Sequence, residues 1–170
     1  MEPMELLLDR ASIKKYTDKP LTYFEVEQIL KAGQAAPSGM NRQPFAFLAV
    51  TDKTVRDRLS ALNAQILGND TDPFYGAPAV FAVLVDPEVS TAHYDGPLAA
   101  GQMLLAANAL GLGSCWIHRA KQVFETPEGK AILVQAGLPE NYEGVAFIIA
   151  GTSAVKPVIK PKTSKVGVIR

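Results

Sequence analysis

The stretch Ala36-Pro37-Ser38-Gly39-Met40-Asn41-Arg42-Gln43-Pro44, followed by Phe45-Ala46-Phe47-Leu48-Ala49-Val50, joins a helix signal to a strand signal through a stiffened polar loop. Upstream, Thr22-Tyr23-Phe24-Glu25 is a capping box, and Leu21 and Val26 occupy the positions of a hydrophobic staple. Together they predict a helix running to about Gln34, with Val26, Ile29 and Leu30 on one face. Downstream, Phe45–Val50 is apolar, of strand length and bounded by turn residues, as are Val80–Val85, Ser114–Ile117 and Val145–Ala150. Asp52 caps a second helix carrying Val55, Leu59, Leu62 and Ile66 at helical spacing. Asp95 is the expected cap of an Ala-rich helix closed by Gly111, and Thr126-Pro127 opens a shorter helix that ends before Gly137. Helices outnumber strands, so the residues predict α+β or α/β with a small central sheet.

No composition break or linker divides the 170 residues, which read as one domain, 1–170, large enough for a core. Hydrophobic residues at 48% and charged ones at 20% exclude a disordered chain. Lys plus Arg and Asp plus Glu both number 17, so no overall field draws the chain to nucleic acid or a membrane surface, and any anion site must be local. The apolar stretch from Leu98 to Gly113 falls short of the ~20 residues a bilayer crossing needs and contains Gln102 and Asn108. It reads as a helix buried on most sides. The N-terminus shows no basic region followed by an apolar one, and with a single cysteine, Cys115, a reduced cytoplasmic setting is expected. No strand is followed by a Gly-x-Gly-x-x-Gly or P-loop fingerprint, so a Rossmann or Walker site has no motif behind it.

Three stretches offer chemistry. In Arg10-Ala11-Ser12-Ile13-Lys14, alternation sets Arg10, Ser12 and Lys14 on one side of an extended segment, where a fork, a hydroxyl and a point charge suit a phosphate. A polar edge strand with solvated charges has the same pattern. In the loop quoted first, Pro37 and Pro44 stiffen the chain and Gly39 permits unusual dihedrals, while Ser38, Asn41 and Gln43 offer the donors and acceptors a planar heterocycle needs. An ordinary helix-to-strand turn would also look like this. In Ala107–His118 an apolar helix ends at glycine and re-enters a strand holding the only tryptophan, which core packing alone would explain. His93 and His118 are the only histidines, no cluster suggests a metal, and Cys115 reads as buried packing. Residues 152–170 are basic and without an acid. Val166-Gly167-Val168-Ile169 nonetheless has strand character, which suggests a tail that docks rather than one that is merely solvated.

In this order and at these separations, "RASIKKYTDKPL", "AGQAAPSGMNRQPFAFLAV", "YGAPAVFAVLV" and "AANALGLGSCWI", with the basic proline-bearing end, resemble the nitroreductase family of FMN-binding oxidoreductases, among its small members. The resemblance covers nearly the whole chain. It implies an α+β, three-layer fold with a small, mostly antiparallel sheet flanked by helices, in an intertwined homodimer with one FMN in each of two clefts between subunits. Arg10, Ser12 and Lys14 match the family's segment for the FMN phosphate, ribityl chain and pyrimidine edge. Pro37, Ser38 and Asn41, with Gln43 beside them, match the loop that the partner subunit donates to the flavin. Trp116, Ile117 and His118 match the segment lining the ring, where a backbone amide faces the reactive nitrogen. Relatives usually carry glycine at or after His118, so His118-Arg119-Ala120 departs from the pattern on the substrate side. Lys160-Pro161-Lys162 matches the segment that closes on the phosphate, with Lys162 in place of an arginine. Residues 152–170 would then wrap the other protomer.

The resemblance also implies the reaction: hydride passes from NAD(P)H through FMN to a nitroaromatic or quinone by a ping-pong scheme, without an acid–base triad. The competing readings are a flavin carrier or sensor without turnover, and a general small-molecule binding domain. Substrate preference is expected from the loop around Ile66–Tyr75 and from His118–Arg119, neither of which carries a decodable motif.

Overall fold

A computed structural model describes residues 2–169. In chain order the elements are α1 (Pro3–Leu8), α2 (Tyr23–Gln34), β1 (Phe45–Val50), α3 (Lys53–Leu67), β2 (Ala79–Val85), α4 (Ala92–Ala109), β3 (Gly113–Ile117), α5 (Ala120–Glu125), α6 (Pro127–Gln135) and β4 (Glu143–Gly151). The four strands form one sheet in the order β1-β2-β4-β3, every pairing antiparallel. The fold is α+β.

Side-chain alternation along the strands divides the core into two layers. On one face Leu48, Val50, Val80, Leu84, Cys115, Phe147 and Ile149 pack with Leu59 of α3, Phe124 of α5 and Leu133 of α6. On the other, Phe81, Val83, Ala146 and Ile148 pack with Ile29 of α2 and with Ala99, Ala100, Met103 and Ala107 of α4. β2 is buried at every residue, so its side chains alternate into both layers and it reads as a continuous apolar run.

The caps account for most boundaries. The Thr22 hydroxyl accepts from the Glu25 amide while the Glu25 carboxylate accepts from the Thr22 amide, the reciprocal box expected. Asp52 accepts from Val55 at 2.9 Å, and Thr126 accepts from Gly129 at 3.0 Å. α4 ends in a Schellman motif, with Leu112 N–H bonded to the Ala107 carbonyl and Gly111 N–H to that of Asn108.

One cap differs from expectation. α4 begins at Ala92 behind Thr91, so Asp95 lies inside the helix rather than at its cap. Its buried carboxylate accepts from the Thr91 hydroxyl at 2.7 Å and from the Gly39 amide at 3.0 Å, joining two loops. No helix among the described residues is long and apolar enough to cross a membrane.

Candidate functional site

The segment after α1 is held against β3. Ser12 bridges Ser114 in parallel, and the Ile13 amide donates to the Ser114 carbonyl at 2.9 Å. Ile13 is buried and its side chain lies against Gly113, where an added Cβ would stand 2.9 Å from it. This close approach lets the segment lie flat on β3, so Ser12 and Lys14 turn outward as the alternation predicts. Further along, Thr17 donates to the Thr152 carbonyl and Ala154 to that of Lys15, which brings the start of the tail alongside. Tyr16 pins the junction by donating to the Ile13 carbonyl at 2.5 Å, and burial, reinforced by nearby Cys115, pushes its phenol far above the ordinary range.

Two concavities adjoin here. The first, about 360 Å³, is lined by Arg10, Ser12 and Lys14 on one side and by Ile159, Lys160 and Lys162 on the other, with no acid among its residues. Among the described residues none of its four cations is paired with a carboxylate. The second, about 580 Å³, shares Ser12 and Lys14 and continues across Trp116, Ile117, His118 and Arg119 to Tyr75 and the 71–73 turn. The Lys14 ammonium lies 5.0 Å from the centre of the Tyr75 ring. Eight of the sequence-derived site residues therefore meet around one joined cleft. Both stretches expected to set substrate preference border it as well.

The loop of Pro37, Ser38, Asn41 and Gln43 lines neither concavity. Pro37, Asn41 and Gln43 are exposed, and the Ser38 hydroxyl accepts from the Gln43 amide at 2.9 Å. The unusual dihedrals expected of Gly39 fall instead on Met40, Asn41 and Gln43, whose φ values are 52°, 54° and 48°. Gly39 serves another purpose, since an added Cβ would meet the Thr91 side chain at 2.6 Å. Three non-glycine residues in the left-handed region store strain on the order of 1 kcal/mol or more each, a feature that clusters at ligand loops.

The far wall holds residues that sequence reasoning missed. Asn63 of α3 is fully buried, donates to the His118 carbonyl at 2.9 Å and accepts from Arg119 Nε at 2.8 Å. The available signal was a polar residue one turn after Leu59, where the apolar stripe should continue. Asp72 accepts from Arg56, from Ser60 at 2.6 Å, and from the amides of Phe74 and Gly76 at 2.9 and 2.7 Å. Burial alone would raise its pKa, but these hydrogen bonds outweigh it and hold the carboxyl below the usual aspartate value. A larger concavity of about 630 Å³ lies behind this turn, yet there Arg56, Asp57 and Asp72 already satisfy one another.

The nitroreductase family model matches residues 7–74, which include the cationic segment and the strained loop. A protein of Archaeoglobus fulgidus named as an NADH dehydrogenase/NAD(P)H nitroreductase is 34% identical over 148 residues, covering 82% of this chain and 79% of the relative. The NADPH-flavin oxidoreductase of Vibrio harveyi is 29% identical, covering 94% of this chain and 69% of its own. Among solved structures, a Bacteroides fragilis nitroreductase with bound FMN superposes with a TM-score of 0.83 at 31% identity, over 100% of this chain and 98% of that one. Sequence likeness along most of the chain and agreement in fold converge, with the Arg10–Lys14 side of the cleft inside the matched segment: the chain belongs to the nitroreductase family.

Proposed function

We propose that the protein passes hydride from NAD(P)H to small electrophilic acceptors such as nitroaromatics or quinones, by ping-pong alternation at one open face of a bound FMN. The chain is an NAD(P)H-dependent flavin oxidoreductase, and FMN is its cofactor. The observation that carries the finer reading is the joined cleft, in which four unpaired cations surround one end and Trp116, Tyr75 and the 116–119 backbone form the other.

The donor set fits a mononucleotide. Arg10, Ser12, Lys160 and Lys162 supply charge and hydrogen bonds for one phosphate, and Lys14, shared by both concavities, reaches from that end toward the ring end. Among the described residues the clustered cations lie at one end of the cleft, which suits the single phosphate of FMN. When bound, FMN supplies the hydride chemistry itself. The protein's share is placement. Lys14 would place positive charge beside the bound flavin, and a backbone amide of the Trp116–His118 segment would donate to its ring. Asn63 fixes the peptide that follows His118 by holding its carbonyl.

The same reading makes the protein a homodimer. The inner face of α4 is fully buried, while on its outer side Tyr94 is 77% and Leu98 49% exposed. In the tail, Val166 and Val168 are 84% and 71% exposed and have no strand partner among the described residues. Pairing two copies would cover this apolar surface, let residues 152–170 wrap the partner, and carry the Pro37–Gln43 loop to the partner's cleft. The test is to purify the protein, identify the released flavin by mass spectrometry, weigh the particle by sedimentation, and follow NADH and NADPH oxidation with a panel of nitroaromatics and quinones. FMN, a dimer and acceptor-dependent turnover are expected. Bound FMN without turnover would leave a carrier.

A further inference from the structure

We propose that Arg119 is a specificity residue that receives an anionic oxygen group, carboxylate or phosphate, on the substrate that docks at the open side of the cleft. The inference rests on the cleft being the flavin site of the reading above.

Arg119 has φ 74°, in the left-handed region, although it is not glycine. A side chain there costs on the order of 1 kcal/mol that glycine would not. The cost is met by a dedicated arrangement in which fully buried Asn63 accepts from Arg119 Nε at 2.8 Å and donates to the carbonyl just before it at 2.9 Å. One edge of the guanidinium is therefore anchored. Its two terminal nitrogens make no hydrogen bond or ion pair among the described residues, although the residue lines the cleft. A planar fork with its stem fixed is already arranged for a two-oxygen anion and loses little freedom on binding one.

The surroundings leave that charge unneutralised. Among the described residues Asp72 is the one acid lining this cleft, and its oxygens are taken by Arg56, Ser60 and two backbone amides. Lys14, the other cation here, faces Tyr75 and belongs equally to the phosphate end. Arg119 is thus the cation left for the dissociable substrate. The same anion chemistry has two sources, a carboxylate on the acceptor or the extra phosphate that distinguishes NADPH from NADH.

The test uses the FMN-loaded protein and Arg119→Gly, which relieves the left-handed backbone but removes the donor to the buried Asn63 oxygen, so a thermal melt and the flavin spectrum accompany it to show that the variant is folded and loaded. Calorimetry with benzoate and with neutral benzamide reads the anion site without turnover. Benzoate should bind the variant roughly ten- to a hundredfold more weakly, the size of one lost charged hydrogen-bond pair, and benzamide should bind as before. The KM for 4-nitrobenzoate should rise by a similar factor while that for 4-nitrobenzamide holds, and Arg119→Lys should recover part of the loss. A rise in the KM for NADPH but not NADH, with benzoate unaffected, also supports the site and assigns its anion to the coenzyme. Equal weakening of benzoate and benzamide, or no change in any anionic ligand, overturns it. A parent that prefers benzoate but oxidises no coenzyme keeps the anion site and refutes the enzymatic reading; normal turnover with no charge preference does the reverse.

Discussion

The wall formed by Arg10, Ser12, Lys14, Lys160 and Lys162 carries four cations without a carboxylate partner among the described residues, whereas the far wall around Asn63 and Asp72 is cross-linked by hydrogen bonds. The first wall is made of long side chains on the surface, where charge costs little to keep and is available to a ligand. The second buries its polar groups, so each must be satisfied within the chain, and its shape is set before any ligand arrives. On this contrast, substitutions on the first wall should change binding and leave folding alone, and those on the second should do the opposite first.

The largest effect is expected for Arg10→Ala combined with Lys162→Ala. FMN affinity should fall by about two orders of magnitude or more, as for two charge-assisted contacts. The apoprotein's melting temperature should barely move, since surface substitutions usually stay within about 0.5 kcal/mol. Fluorescence titration of FMN beside a thermal melt measures both, and a destabilised apoprotein would break the contrast.

Asp72→Ala probes the other wall. It should cost about 2–3 kcal/mol in urea unfolding, because it removes one of the buried Arg56's partners and leaves the Ser60 hydroxyl and two amides without their acceptor. The parent's advantage should also depend on pH with a definite sign. Asp72 is held below its ordinary value in the fold, so its contribution is full above about pH 4, the unfolded pKa, and declines as pH falls through the lower folded pKa. A gap between parent and variant that widens on acidification would contradict the geometry.

Lys14→Met tests the residue common to both concavities. Loss of the ammonium should weaken the reduced flavin more than the oxidised one and lower the midpoint potential, by about 30 mV for each ~1.4 kcal/mol of difference. An unchanged potential in a dye-coupled titration would return Lys14 to the phosphate side. Ser12→Ala should have the smallest effect, about 1 kcal/mol of flavin affinity in both redox states with no change in potential. A shift in potential there would mean that Ser12 reaches the ring.

Much of this was legible in local pattern. The four strands fall within two residues of where β-prone apolar runs and turn residues place them, and the caps of Thr22, Asp52 and Thr126 stand as read, because each depends on neighbours in sequence. Asp95 was misassigned for the converse reason. An acid before an apolar run has the composition of a cap, but here it lies a turn inside the helix, accepting from the nearby Thr91 hydroxyl and from the Gly39 amide, which only the fold brings close. α1 and α5, six residues each, are too short for helical periodicity to announce them. Within the site, Lys14 and Trp116 were visible as residue types in a motif. The Asn63 clamp was not, since it joins α3 to the turn after β3 and exists only once the two have packed.

The cationic pocket draws Arg10 and Ser12 from one end of the sequence and Lys160 and Lys162 from the other, with the pairing of residues 15–17 to 152–154 holding the two ends together. Closing a loop that contains nearly the whole chain is among the costliest steps in entropy and comes after local contacts have formed. During synthesis, the helices and the antiparallel β1–β2 pair can assemble while the cationic pocket has only half its charges. If that pocket holds the FMN phosphate as proposed, cofactor loading is tied to completion of the tail, and a truncated product would fold its core yet fail to retain flavin.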